Sequence, residues 1–373
     1  MIEKDLCTRC EGCGLCVNVC SLDAITLVKS EKGFFNPVIE QKKCVDCGIC
    51  KVACDNKVKQ KYKVRAVYVA KHTDFSVVMQ SSSGGIFTGL SNYILDNSGA
   101  VYGAVFDDSF KVKHIRGTSE SDRDKMRGSK YVQSEVGLIY RRVKNDLNSG
   151  KMVLFTGTPC QVDALQIYLR AKKISTNKLY TCELICNGVA SPLVFEKYIK
   201  EYIGLKKIKE IYFRYKHPNI QGSIFVIKKK NGKVDTSGYF SQLYTSKNIY
   251  CESCYSCKYA TKERVADITI GDFQGECGGE KIYIKGNYGC SIVLVNTNKG
   301  MEIWKQIEKM YDVQKLSGIY EQERLKKPCV KPKTYDKFWN DFYQYPFVKI
   351  LKKYTQKSFL EDLRNIKNER KYK

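Results

Sequence analysis

Two runs of cysteine constrain this chain more than any other feature. Cys10, Cys13, Cys16 and Cys20 follow a C-x2-C-x2-C-x3-C spacing, and Cys44, Cys47, Cys50 and Cys54 repeat it. Three thiolates on one tight loop grip one 4Fe-4S cubane, while the fourth lies past a turn and reaches the neighbouring cluster. The spacing therefore assigns Cys10, Cys13, Cys16 and Cys54 to one cluster, and Cys44, Cys47, Cys50 and Cys20 to a second. Structural zinc sites instead pair two C-x2-C knuckles across a longer stretch. Ser21 and Asp55, rather than the customary Pro, follow the fourth cysteines. Proline is not a ligand, so only the stiffness of the loop is affected. Cys7 falls outside the pattern and reads as an ordinary thiol.

With 373 residues the chain can form two or three domains around a sizeable core. Its eighteen cysteines do not suggest a secreted disulfide scaffold, because that device belongs to short extracellular chains. The opening Met1-Ile2-Glu3-Lys4-Asp5 lacks the apolar stretch of a signal peptide, and no apolar run reaches the length of a membrane span. The expectation is a cytoplasmic protein whose reduced thiols are available to metal. A net charge of +25 would suit nucleic acid, a membrane surface or acidic ligands. The lysines, however, are spread along the chain and no nucleic-acid-binding motif accompanies them. Neither nucleic acid nor a membrane surface is an expected partner. His72, His114 and His217 stand too far apart in sequence to suggest a His-rich metal centre.

The expected fold is α+β or α/β: a bacterial-ferredoxin-like domain at 1–63, then a mixed α/β flavin-binding core. The core is expected in two parts, 64–145 and 146–330, before a basic aromatic helical tail at 331–373. Strands are predicted at Ala24–Leu27 and Phe35–Ile39 around a Gly33 turn, and at Ala66–Ala70, Ala100–Phe106 and Lys111–Ile115. Strand–turn–helix units follow: Met152–Phe155 before a helix at Val162–Ala171, then Tyr180–Ile185 before a helix begun by Ser191-Pro192. These units predict a mostly parallel sheet with ligands at the carboxyl ends of its strands. Asn231-Gly232 predicts a hairpin between Ile224–Lys229 and Val234–Tyr239. Further strands are expected at Asp267–Gly271 and Ser291–Asn296. In the tail, Trp339, Phe342, Phe347, Ile350 and Leu351 recur at helical spacing, broken at Pro346.

Four segments beyond the first domain carry chemistry. Ser83-Gly84-Gly85, ahead of a helix, offers bare amides suited to phosphate. Arg127-Gly128-Ser129-Lys130-Tyr131 sets a cation and an aromatic among small residues. Thr156-Gly157-Thr158-Pro159-Cys160 is a strand-end turn bearing a thiol, and Cys254-x2-Cys257 is half a metal site. Taken singly, each also reads as an ordinary turn or buried thiol. Together and in this order they resemble the family of coenzyme F-420 hydrogenase/dehydrogenase β-subunits. The matching segments are SSSGGIFTGL, RGSKYVQS, FTGTPCQVDAL, LICNGVASPLVFEKY, SCYSCKYA and ADITIGDFQG.

That resemblance implies a redox protein holding FAD and a third 4Fe-4S cluster. The third cluster would be held by Cys160, Cys186, Cys254 and Cys257, with Cys182 and Cys251 as nearby spares. Cys277, Cys290 and Cys329 are left as structural thiols. FAD would lie against Ser83, Gly84, Gly85, Gly128, Ser129, Lys130 and Tyr131, with Lys130 neutralising its pyrophosphate. Thr156 and Gly157 would approach the flavin, and Asp272 would orient a ring or ribose group. Many bacterial members have His where Asn187 stands and Trp where Gln274 stands, so a proton donor is missing or replaced here. The implied function is an iron–sulfur flavoprotein oxidoreductase. It would pass electrons between a ferredoxin-type partner protein and a small-molecule two-electron acceptor. The alternative is a flavin-free relay subunit that acts only in complex with a partner enzyme.

Overall fold

The computed structural model describes residues 10–274, 280–285, 287–317 and 320–356; Cys7 and Cys277 lie outside them. The N-terminal module consists of helix α1 (Leu15–Val19), strands β1 (Ile25–Lys29) and β2 (Phe35–Ile39), and helix α2 (Ile49–Asp55). The two strands form an antiparallel ribbon, Ile25 opposite Ile39, so the first three cysteines of each run meet a helix start.

The rest of the chain builds one large sheet with helices over it. In order these are β3 (Ala66–His72), α3 (Phe75–Gln80), α4 (Ile86–Asp96), β4 (Ala100–Phe106), β5 (Val112–Gly117), α5 (Glu120–Met126), α6 (Ile139–Asn148), β6 (Val153–Gly157), α7 (Pro159–Ala171), β7 (Leu179–Leu184) and α8 (Pro192–Lys197). Then come β8 (Ile208–His217), β9 (Ile220–Lys229), β10 (Val234–Asp235), α9 (Tyr239–Thr245), β11 (Ile268–Asp272), β12 (Ser291–Val295), α10 (Asn298–Ile307), β13 (Tyr311–Leu316), α11 (Tyr335–Gln344) and α12 (Phe347–Tyr354).

The eight-stranded sheet has the order β13-β3-β12-β11-β7-β6-β4-β5, so strands from 64–145 and from 146–330 interleave. Only the central run β11-β7-β6-β4 is parallel; the other pairings are antiparallel. The mostly parallel sheet expected from sequence is thus a mixed one, because β3 is clasped on both sides by strands returning from late in the chain. The expected strand at Val234–Tyr239 stops after two residues. The Asp235 carboxylate accepts from Ser237 N and Ser237 Oγ, and Gly238 then starts α9. β8, β9 and β10 form a separate antiparallel sheet. Helices α8, α9, α11 and α12 close over it with Phe195, Tyr198, Phe240, Phe338 and Trp339 buried together. Among the described residues no helix is long and apolar enough to cross a membrane.

The module is bonded to the core along its whole inner side. Arg141 of α6 donates to the carbonyls of Val17, Asn18 and Cys20, which the short α1 leaves without helical partners. Tyr140 Oη donates to Cys13 O at 2.6 Å and Asn18 Nδ2 to Gly137 O at 2.8 Å. On the other flank Asp163 of α7, fully buried, accepts from Val58 N at 2.8 Å and from Tyr259 Oη at 2.9 Å.

Candidate functional site

A cavity of about 320 Å³ opens at the carboxyl ends of β6, β7 and β11, the usual ligand position on a parallel sheet. Its volume falls in the range of cofactor pockets. Two kinds of wall meet in it: a polar cradle of serines, glycines and cations, and a set of thiols.

The cradle joins two loops. Ser82 Oγ accepts from Ser129 N at 2.7 Å, so the segment before α4 is tied to the segment after α5. Ser81, Ser82, Ser83, Gly85, Gly128 and Ser129 all line the cavity. Gly128 has φ +83° and nothing near the point where a Cβ would sit, so its backbone faces open space. Gly84, expected as a contact, is instead a packing glycine. A Cβ there would fall 2.3 Å from Ala70 O, and Gly84 N donates to Ser291 Oγ at 2.9 Å.

The cations divide into those already engaged and one that is not. Lys130 lies on the cavity wall, but its Nζ donates to the carbonyls of Lys125, Met126 and Arg127 at 2.9 to 3.0 Å. It therefore closes the C-terminal end of α5 and props the loop. Burial pulls its pKa down to about 7, while the three carbonyls and the negative helix end favour the charged form. Lys216 plays the matching part on the other loop, donating to Val78 O and Ser83 O at 2.8 and 2.7 Å. Arg127 pairs through its terminal nitrogens with Asp124 and Gln80, and its Nε is buried without a partner. A buried orphan donor on a cavity wall among serine hydroxyls is the chemistry of an anion site. Arg127 belongs to the recognised segment, yet nothing in the spacing singled it out above Lys130.

At the strand ends, Thr156 and Gly157 line the cavity as expected. His114 of β5 holds this turn: its Nε2 meets Thr156 O at 3.1 Å and its Nδ1 meets Ser134 Oγ at 3.1 Å. Because Thr156 O only accepts, Nε2 carries the proton and Nδ1 accepts from Ser134, whose oxygen accepts from Gln161 Nε2 at 2.9 Å. Burial pushes the His114 pKa down to about 4, so the ring is neutral. Asp272 lies at the end of β11 and accepts from Arg214 Nη1 at 2.6 Å; the same nitrogen donates to Tyr131 Oη at 3.2 Å. Asp272 and Tyr131 are thus joined through an arginine 58 residues away from one and 83 from the other.

The thiols form neighbourhoods. Cys54 lies among Cys10, Cys13 and Cys16; burial pushes Cys10 up to about 12 and raises Cys16 and Cys54, and the thiols add to one another's shifts. Cys47 and its neighbours face outward, and Cys47 is exposed. Cys160, Cys186, Cys254 and Cys257 all line the cavity. Burial, then Cys257, pushes the Cys186 thiol up to about 12. Cys329 also belongs to this wall: it is buried, donates to Cys254 O at 3.5 Å and neighbours Cys186. Spacing could not reveal it, since it stands 72 residues beyond Cys257. Cys160 has Glu11, Lys57 and Cys13 of the module as neighbours, and Cys251 donates to Cys10 O at 3.6 Å. Cys182 is buried within β7. Among the described residues no three His, Cys, Asp or Glu side chains converge closely enough for a single metal ion. Buried thiols resist ionisation until a cationic centre stabilises the thiolate, which is the donor chemistry of an iron–sulfur cage. Asn187, at the family's His position, has its Oδ1 on Arg324 Nε at 3.2 Å, and both line the cavity.

Comparison with known proteins accords with this geometry. Residues 150–317 match the model for the C terminus of the coenzyme F420 hydrogenase/dehydrogenase β-subunits. This part of the chain belongs to that family. Residues 9–58 match the 4Fe-4S dicluster domain, so the module is an iron–sulfur domain. A coenzyme F420-dependent sulfite reductase of Methanocaldococcus jannaschii is 24% identical over 320 residues, covering 83% of this chain and 47% of that protein. The chain therefore spans less than half of that relative. The F-type subunit of the F(420)H(2) dehydrogenase of Methanosarcina mazei is 23% identical over 308 residues, 78% of this chain and 82% of that one. A chain of the F420-reducing [NiFe] hydrogenase complex from Methanosarcina barkeri superposes with a TM-score of 0.48 at 21% identity, covering 78% of this chain and 91% of that chain.

Proposed function

We propose that the chain is an iron–sulfur flavoprotein oxidoreductase passing electrons between a one-electron protein donor of ferredoxin type and a small-molecule two-electron acceptor. The observation that carries this reading is the meeting of two chemistries in one cavity. The orphan Arg127 Nε and the Ser82–Ser129 cradle share its walls with Cys160, Cys186, Cys254 and Cys257. When bound, 4Fe-4S clusters would supply one-electron transfer and FAD the change between one- and two-electron chemistry.

The chain's own residues divide the remaining work. Cys10, Cys13, Cys16 and Cys54 would hold one cluster, Cys44, Cys47, Cys50 and Cys20 a second, and the four cavity cysteines a third. Arg127, Ser83, Gly85, Gly128 and Ser129 would take the pyrophosphate, with Lys130 and Lys216 fixing the loops that present them. Thr156 and Gly157, held by His114, would approach the ring, and Asp272 with Tyr131 would orient it. Asn187 offers a neutral amide where an acid is expected, so proton delivery falls to another group or to water. Both curated relatives are named for F420, which makes F420 the first acceptor to assay.

The test is iron, zinc and flavin content per chain after strictly anaerobic purification, with absorption spectra before and after reduction. Roughly twelve irons with one FAD would support the reading, at four irons per cubane. Clusters without flavin would move it to a relay subunit that works only beside a partner enzyme, and zinc in place of iron would overturn it.

A further inference from the structure

The module's two cysteine sets sit in opposite electrostatic settings. Lys57 follows α2, and its ammonium donates to Cys13 Sγ at 3.2 Å while pairing with the Glu11 carboxylate. Its side chain is 9% exposed, so this charge is screened far less by solvent than a surface lysine's. The position is enforced. Val58, a β-branched residue, has φ +68°, a conformation such residues avoid. Its N–H is bound by the buried Asp163 of α7, which offsets the strain and turns Lys57 inward. The outer set shows the reverse: Cys44 Sγ faces Asp46 Oδ1 at 3.7 Å and Cys47 is exposed. Once ligated, Cys44 would no longer donate a proton, which leaves a carboxylate charge beside its sulfur.

We infer that Lys57 sets the reduction potential of the cluster held by Cys13, making the inner site the easier of the two to reduce. Hydrogen bonds to sulfur and local net charge are the protein's means of tuning such a cluster. An ammonium bonded to a ligand sulfur stabilises the reduced, more negative form. Asp46, in solvent, acts on the outer cluster in the opposite sense and more weakly. Glu11 limits the Lys57 effect by neutralising part of its charge, so Lys57 and Glu11 should act with opposite signs. Lys57 also neighbours Cys160, so this charge lies where the module meets the cavity. The inference rests on the cluster ligation proposed above.

The experiment is an anaerobic redox titration of the full chain followed by electron paramagnetic resonance. Lys57→Met should shift one midpoint to more negative potential and leave the other in place, with iron content unchanged. Lys57→Arg should restore it. Glu11→Gln should move the same midpoint to more positive potential, a readout that stands even if Lys57→Met fails to fold. Two clusters whose midpoints ignore both residues, or shift in the same direction for Lys57→Met and Glu11→Gln, would overturn the inference. A wild-type chain that binds no iron would overturn the proposed function itself.

Discussion

The N-terminal module and the cavity handle thiols in two different ways. In the module each ligand run spans eleven residues, and one turn with one short helix fixes three sulfurs. At the cavity the sulfurs arrive from the start of α7, the end of β7 and the loop before β11, from positions 160 to 257. The first arrangement is a property of local chain geometry, while the second exists only once the sheet has formed. Damage should therefore behave differently: local and chemical in the module, global and structural around the cavity.

The largest expected effect breaks the module alone. Cys50→Ser should remove about four irons per chain by elemental analysis, one cubane's worth, and leave any bound flavin in place. Loss of flavin with it would erase the distinction between the regions. Next comes the tie under the cavity. Arg264 and Glu183 are both almost fully buried; Arg264 Nε meets Glu183 Oε1 at 2.6 Å, and its Nη1 holds the carbonyls of Tyr259 and Thr261 beside Cys257. Arg264→Met strands a buried carboxylate and should cost about 3–5 kcal/mol in denaturant unfolding. Replacing Glu183 with Leu as well should recover much of that. Equal stability of the single variant and wild type would show that the site does not depend on this tie.

A pH effect of similar kind belongs to His114. Its folded pKa of about 4 lies below the ordinary value of 6.5. The unfolded chain therefore binds the extra proton first as pH falls. Its contribution is complete above pH 6.5 and is lost progressively down to about pH 4, on the order of 3 kcal/mol. His114→Gln should flatten the stability curve in that window; parallel curves would sink the assignment. The smallest effect is confined to the cradle. Arg127→Met should weaken flavin retention about 10-fold to 100-fold, the worth of one charge-assisted hydrogen bond, without altering iron. Cys329→Ser and Cys160→Ser then sharpen the thiol wall: iron should fall by about four for Cys160 and stay constant for Cys329 if the fourth ligand is as proposed.

What was legible in the sequence follows the same divide. The module's eight ligand positions could be read because their spacing is the geometry. The strands from Ala66 to Ser291 and the helix starts at Pro159 and Ser191-Pro192 were legible from alternation and capping. β13 was not, because its Tyr311–Leu316 stretch buries only its two ends, at an edge of the sheet. Gly84 and Gly128 look alike in sequence, since packing against a carbonyl and facing a ligand both require a missing side chain. Lys130 and Arg127 differ only in where their nitrogens end, which is set by the carbonyls of α5. Arg214, Lys216 and Arg324 reach the cavity from segments whose only common property is the final topology.

That topology also has a consequence in time. β3 is paired along both edges by β12 and β13, strands that begin 225 and 245 residues after its first residue. On the ribosome the dicluster module is complete and free long before its neighbouring strand finds either partner. Until residue 316 has emerged, β3 presents two bare edges, the form in which nascent strands aggregate. Iron delivery to the first two sites can thus precede closure of the sheet, whereas the cavity thiols are assembled only at the end of synthesis.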